Sequence, residues 1–191
     1  MELKTPICGL VLSAGESQRM GQPKALLTVQ DTPLIVKAVS TLDQVCDVVV
    51  VAAGRHYQQI NESSQARIAV HRVVDWRHGM RASLRSALNA LPGGHILVCH
   101  IDQPGIKQGT LERLCSGHIN RPRVLTYRGR TGHPVLVPDW LRPVIIRHDR
   151  RSLRQIFNHV GFEKIDVDDV AITRNLNRRE DWKRFLFEFR S

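Results

Sequence analysis

Three short stretches of the chain are apolar almost without interruption: residues 7–12, residues 47–53 after the opening Asp47, and the middle of residues 95–101. A strand with one face in water alternates apolar and polar side chains, so an unbroken apolar strand needs cover on both faces. The segments between these runs have a different period. Apolar residues at 34, 35, 38, 39 and 42, and again at 80, 84, 87, 88 and 91, recur at the spacing of one helix face. The first set follows Asp31-Thr32-Pro33, a turn that can start a helix with Pro at an early helical position, and the second is closed by Pro92-Gly93-Gly94. Buried strands alternating with amphipathic helices predict an α/β fold, a mostly parallel, doubly wound, Rossmann-like sheet with helices on both faces.

The remaining segments continue the pattern. Helices are expected over 57–63, 107–119, 139–146, 152–160 and 178–189, and strands over 67–74, 124–127, 134–137 and 162–167. No repeat, low-complexity tract or linker interrupts them, so residues 1–191 read as a single domain, with 42 % apolar residues to build its core. No run reaches about 18 apolar residues. The first six residues lack a charged-then-apolar signal pattern, which predicts a cytoplasmic protein without membrane association. Cys8, Cys46, Cys99 and Cys115 are far apart and form no C-x-x-C pair. That argues against a metal cluster or a disulfide framework, and three of them read as small core residues.

The net charge is +10, and between Asn120 and Arg154 nine arginines (121, 123, 128, 130, 142, 147, 150, 151 and 154) stand against two acids, Asp139 and Asp149. Such a region is either a solvated basic face or a surface for an anionic ligand or acidic partner. Aromatic residues make up only 5 % of the chain and do not interleave with the basic ones, which speaks against nucleic acid as the partner.

In a doubly wound sheet, ligands bind beyond the carboxyl ends of the strands. Two loops fall there: 13–24 after the first strand and 102–105 after the fourth. The first carries Gly15, Gly21, Arg19 and Lys24. Glycines let backbone approach a phosphate, and the cations can hold it. The plainer alternative is a glycine turn with two solvated cations. The loop is neither a G-x-x-x-x-G-K-[ST] phosphate loop nor a G-x-G-x-x-G dinucleotide loop. Asp102 ends a buried strand at the same edge, where a carboxylate suits Mg²⁺, although Asp is also a common turn residue before Pro.

The first loop also matches the pattern L-x-A-G-x-S-x-R-M-G-x-P-K at Leu12, Ala14, Gly15, Ser17, Arg19, Met20, Gly21, Pro23 and Lys24. Gly79-Met80 with Ser83-Leu84, then Asp102-Gln103-Pro104, then Gly132-His133-Pro134-Val135-Leu136 follow in order. On these residues, over about 7–185, the chain resembles the MobA-like nucleotidyltransferases, most of all their molybdenum cofactor cytidylyltransferase branch. The resemblance implies a sheet of the nucleotide-diphospho-sugar transferase type. It also implies Mg²⁺-dependent transfer of CMP from CTP to molybdopterin with release of pyrophosphate. Leu12, Ser13, Ala14, Gly15, Arg19, Lys24, Gly79, Ser83 and Asp102 would then bind the nucleotide. Arg19, Lys24 and Asp102 would act in catalysis, with Asp102 on the metal. Gly132 and His133 would line the second-substrate side, facing the pterin, and a molybdoenzyme would be the downstream partner.

One segment departs from that branch. Where it usually carries D-x-D, this chain has Asn175-Leu176-Asn177, a form similar to the guanylyltransferases, which implies GTP. An amide oxygen at Asn175 or Asn177 can bind Mg²⁺ but brings no negative charge. The first loop points the other way: guanylyltransferases usually read L-A-G-G with D-K, whereas this chain has Leu12-Ser13-Ala14-Gly15 with Pro23-Lys24. Three readings stay open: a CTP-dependent transferase, one of the same fold using GTP or another phosphorylated acceptor, and a low-turnover protein that holds nucleotide or molybdenum cofactor for an oxidoreductase.

Overall fold

The computed structural model describes residues 5–17, 20–63, 68–148 and 151–190. The strand β1 (Ile7–Ser13) lies between β4 (Val48–Ala53) and β6 (His95–His100) and is parallel to both. β5 (Ala69–Arg72) adds a parallel edge beside β4. On the other side β8 (Arg130–Val137) runs antiparallel to β6 and to β7 (Arg123–Tyr127), and β9 (Glu163–Asp166) pairs parallel with β7. The result is one seven-stranded, mostly parallel sheet in the order β5-β4-β1-β6-β8-β7-β9.

Burial on both faces explains the unbroken apolar runs. Successive side chains of a strand point to opposite faces. Ile7 and Val11 of β1 enter a cluster with Ile35 and Val39 of α1 (Leu34–Leu42) and Leu111 and Leu114 of α4 (Gln108–Cys115). Cys8, Leu10 and Leu12 enter a second cluster with Leu84 and Leu88 of α3 (Met80–Ala90) and Ile156 and Phe157 of α6 (Leu153–Val160). Each such aliphatic side chain contributes about 1.5–3 kcal/mol when fully buried. The helices α2 (Tyr57–Ser63), α5 (Arg142–Arg147) and α7 (Arg179–Arg190) complete the layers. Among the described residues, no helix is long and apolar enough to cross a membrane.

A third, smaller cluster matters more for the site. Met20, Leu27, Val29 and Leu34 pack with Leu176 and Phe185, joining the segment after β1 to the one that enters α7.

Several elements differ from the sequence expectation for local reasons. α1 starts at Leu34 directly after Pro33, as the turn suggests, but Thr32–Pro33 itself forms β3, paired antiparallel with β2 (Thr28–Val29). Gln30 and Asp31 both adopt positive φ (51° and 58°), making the tight turn of this hairpin, and Pro33 stands just before α1. α4 stops at Cys115 rather than 119. The buried Arg123 guanidinium donates to the carbonyls of Leu114, Ser116 and His118, with its Nε on Glu163, and so takes over the helix end. β8 begins at Arg130, four residues earlier than expected, because Arg128 (φ 48°) and Gly129 (φ 77°) close a tight turn to β7. Within the expected strand 67–74 the ladder covers only Ala69–Arg72, and Arg67 is outside the described residues. Cys8, Cys99 and Cys115 are buried and Cys46 is half-buried, and none of the four is in a disulfide.

Candidate active site

The carboxyl ends of β1 and β6 open onto a cleft of about 430 Å³, within the usual range for a small-molecule site. Residues 12–17 form one wall. Trp76, Gly79, Met80 and Ser83 form the other, and residues 100–102 lie between them with Lys24 and Asn177.

Three segments remote in sequence meet in this cleft. Lys24 Nζ donates to Asp102 Oδ2 at 3.2 Å and to Asn177 Oδ1 at 2.9 Å. Each partner is placed by its own backbone. Lys24 opens a single 3₁₀ turn, Lys24–Leu26, and its N–H donates to Ser17 Oγ at 3.2 Å. Asp102 follows β6, and its carbonyl accepts from the Leu176 N–H at 2.8 Å. The N–H groups of Arg178 and Asn177 donate to Asp181 Oδ2 in the first turn of α7, and these two bonds hold the Asp181 carboxyl below the usual carboxylate range. Leu176, only 2 % exposed, anchors the segment in the third cluster.

The Lys24 and Asp102 side chains are 13 % and 21 % exposed, so the pair is largely shielded from water. Asp102 Oδ1 is buried and has no hydrogen-bond partner among the described residues. Buried carboxylate oxygens are normally satisfied, so an unpaired one beside a lysine in a cleft points to a ligand that completes it. Among the described residues, no group of three or more His, Cys, Asp or Glu is arranged to hold a metal ion. A divalent cation here would therefore rest on Asp102, the amide oxygen of Asn177, phosphate oxygens and water. That donor set fits Mg²⁺, which keeps several waters and takes one or two carboxylates.

Of the residues singled out in the sequence, Leu12, Ser13, Ala14, Gly15, Lys24, Gly79, Ser83, Asp102 and Asn177 line this cleft. Arg19 lies outside the described residues. Asn175 does not join Asn177: it is exposed and lines a separate hollow with Arg184 and Glu188. Only the second amide of N-x-N reaches Lys24. Gly132 and His133 of β8 also stand outside the cleft lining. A Cβ on Gly132 would run into the Ile172 carbonyl, so packing against the 3₁₀ turn Val170–Thr173 already accounts for that glycine. His133 reaches the cleft only through His100, its ring 4.2 Å away. Burial is the main cause pushing His133 down to about 4, and the neighbouring His100 adds to it. Burial likewise lowers His100, against the opposing pull of Asp102.

The glycines divide by what they are needed for. Among the described residues, no atom beyond its two chain neighbours comes within 4 Å of a Cβ added at Gly15, and φ there is not positive, so those residues do not require glycine. Its bare backbone is left open to a ligand. Gly79 has φ 91° just before α3, and its carbonyl accepts from Ser83 Oγ at 3.2 Å.

Sequence reasoning gave no role to Trp76 or His100, which both line the cleft. The signal for Trp76 was Gly54 at the end of β4. A Cβ there would sit 2.5 Å from Trp76 Cβ and 2.6 Å from the Ala14 carbonyl oxygen, so the glycine lets both cleft walls approach β4.

With this geometry in hand, the relatives carry weight. The MobA-like NTP transferase domain family matches residues 9–165. The chain is 34 % identical over 157 residues to the nicotine blue oxidoreductase of Paenarthrobacter nicotinovorans, covering 73 % of this chain and 74 % of that one. It is 22 % identical over 176 residues to the molybdenum cofactor cytidylyltransferase of Escherichia coli K12, covering 91 % and 92 %. Rv0371c from Mycobacterium tuberculosis H37Rv shares the fold, with a TM-score of 0.80 and 24 % identity over 97 % of this chain and all of that one. A further crystal structure of that protein is a complex with manganese (TM-score 0.74, 23 % identity, 96 % and 99 % covered). The match over most of the length, together with the loop, lysine and aspartate at one sheet edge, identifies the chain as a member of the MobA-like NTP transferase family, a family of nucleotidyltransferases.

Proposed function

We propose that this protein transfers a nucleotidyl group from a nucleoside triphosphate, CTP, to the terminal phosphate of a molybdopterin-type acceptor. The observation that carries the reading is the shielded Lys24–Asp102–Asn177 cluster with its unpaired Asp102 oxygen, set against an open glycine-bearing loop. An acceptor phosphate oxygen attacks the α-phosphorus, a P–O–P bond forms, and the bond from the α-phosphorus to the β-phosphate oxygen breaks. Pyrophosphate leaves with that electron pair.

Such a transfer asks the protein for positioning and charge neutralisation rather than a nucleophile of its own. Residues 13–17 bring backbone up to the phosphates. Lys24 brings a positive charge to the oxygens that become negative as pyrophosphate departs, and Arg19, on the same loop in sequence, would grip two oxygens at once. Mg²⁺ held by Asp102 and Asn177, when bound, supplies further neutralisation at the phosphate oxygens. Trp76, Gly79, Met80 and Ser83 form the wall available to base and ribose. The choice of CTP rests on the loop sequence Leu12-Ser13-Ala14-Gly15 with Pro23-Lys24.

The test is pyrophosphate release and dinucleotide formation by purified protein with Mg²⁺ and molybdenum cofactor, across CTP, GTP, ATP and UTP. CTP-dependent product is expected. Release with GTP alone would move the assignment to guanylyl transfer, and no release with any nucleotide or phosphorylated acceptor would defeat the reading.

A second reading is favoured by the amide at Asn177, where a carboxylate would bind a cation more strongly. In it the chain holds nucleotide or cofactor for an oxidoreductase and turns over little. The 34 % identical relative is itself named an oxidoreductase. For a carrier, Asp102→Ala leaves the activation of the partner enzyme largely intact, whereas for a transferase it removes most of the product.

A further inference from the structure

The Lys24 ammonium sits where a metal ion would. Its Nζ is 3.2 Å from Asp102 Oδ2 and 2.9 Å from Asn177 Oδ1, on the two side chains that would hold a divalent cation in this cleft. Both acceptors are fixed by backbone rather than by the lysine. The Leu176 N–H donates to the Asp102 carbonyl at 2.8 Å, which ties the two segments together, and the Asn177 N–H donates to Asp181 Oδ2 at 3.0 Å. The two oxygens therefore form a built seat for a cation, and Lys24 fills it.

The charges admit one cation at a time. Asp102 brings one negative charge and Asn177 none, so a single ammonium neutralises the seat. A divalent ion would have to share Oδ2 with that ammonium, between side chains largely shielded from water, where repulsion is weakly screened. Asp102 Oδ1 offers no way round. It is buried, so it reaches a ligand only when the carboxyl turns, and the Lys24 bond to Oδ2 opposes that turn. Lys24 itself is free to change partners. Its backbone is held by the bond from its N–H to Ser17 Oγ and by the 3₁₀ turn it opens, but the ammonium rides on a flexible four-carbon stem. Residues 13–17 line the same cleft, and a triphosphate laid against them offers the ammonium more negative charge than one carboxylate does.

We propose that Lys24 is a built-in substitute for the divalent cation. In the nucleotide-free protein it keeps metal off Asp102 and Asn177. The phosphates of an incoming nucleotide draw it away, so metal is admitted only together with nucleotide. The inference rests on the nucleotidyltransferase reading for the anion that draws Lys24 off, whereas the exclusion is tested with metal alone. It also gives a use to the amide at Asn177: a carboxylate there would leave the seat negative with Lys24 in place, and metal would enter without nucleotide.

The probe is Mn²⁺ without nucleotide, with the free ion followed by electron paramagnetic resonance on titration with the full chain. Wild type should bind it more weakly than about 1 mM. Lys24→Met, and Lys24→Gln, which keeps a hydrogen-bond donor and so perturbs the fold less, should each bind at least about tenfold more tightly, because the competing charge is gone. Asn177→Asp, with Lys24 retained, should gain at least about tenfold as well. Mn²⁺ should raise the Tm of these variants and leave that of wild type unchanged. Combining Lys24→Met with Asp102→Asn should abolish the gain, which locates it. Wild type binding Mn²⁺ as tightly as the variants, or a gain that survives Asp102→Asn, overturns the proposal and leaves the transferase reading standing. If Mn²⁺ behaves as expected but no nucleotide is transferred to any acceptor, it is the transferase reading that fails.

Discussion

Removing the positive charge at Lys24 tests both the site and its energetics. In Lys24→Met the Asp102 carboxylate loses the cation 3.2 Å from Oδ2 while Oδ1 already lacks a partner among the described residues, so a shielded charge is left without compensation from them. At an effective dielectric near 20 the gross attraction at that distance is about 5 kcal/mol. Desolvation and the 13 % and 21 % exposure of the two side chains reduce the net coupling to about 1.5–3 kcal/mol. Lys24→Met should therefore destabilise the fold by about 2–4 kcal/mol and Asp102→Asn by about 1–2 kcal/mol. The double variant should be more stable than the sum of the two implies, because neither partner is then left alone. Urea unfolding of the four proteins reads this directly: a loss of 2 kcal/mol moves the midpoint by about 1 M for a slope near 2 kcal/mol/M. A coupling below about 0.5 kcal/mol would show that water screens the pair and would refute the shielded cluster. Both single variants should also lose about 100-fold or more in kcat for nucleotidyl transfer.

Other outcomes follow from single contacts. Gly54→Ala places a Cβ 2.5 Å from Trp76 Cβ and 2.6 Å from the Ala14 oxygen, so it should lower stability by about 2–4 kcal/mol, or roughly 4–16 °C in Tm, and weaken nucleotide binding. Arg123→Met strips the carbonyls of Leu114, Ser116 and His118 and the Glu163 carboxylate of their donor. A loss of about 3–5 kcal/mol and faster amide hydrogen exchange at the end of α4 are expected, and Arg123→Lys should rescue little because one ammonium cannot serve all four. Acid should destabilise the protein through His133. Its folded pKa of about 4 lies below the ordinary histidine value of 6.5, so the unfolded chain binds more protons between those values. The stability is present above pH 6.5 and is lost as pH falls toward 4. From pH 7 to pH 5 this group alone removes about 2 kcal/mol, and urea midpoints at the two pH values should converge in His133→Gln.

The parts of the molecule legible in the sequence are those decided by burial and local chemistry. β1, β4 and β6 could be placed because their side chains are apolar on both faces, and α3 because its apolar period ends at Pro92-Gly93-Gly94. The Thr32–Pro33 strand was hidden because a Pro after Asp-Thr looks like a helix start. The helix does start, at Leu34, and what adds the hairpin before it is the backbone of Gln30 and Asp31, both at positive φ without being glycine. The end of α4 was hidden because the residue that caps it, Arg123, lies eight positions beyond Cys115 in another element. Trp76 was missed for a similar reason: nothing near it in sequence says that Gly54 makes room for it.

By itself the sequence determined that a parallel α/β sheet would form and that residues 13–24 and Asp102 would emerge at the same edge. Both follow from local pattern and from the direction shared by parallel strands. Tertiary structure alone decided that Lys24 bonds to Asp102 and Asn177, 78 and 153 residues away. It also decided that Asn175 faces elsewhere and that His133 stands behind His100 rather than in the cleft. The physical reason is the third apolar cluster. Burying Met20, Leu27, Leu176 and Phe185 together draws two otherwise polar segments across the end of the sheet, and the polar residues beside those anchors meet where the anchors put them.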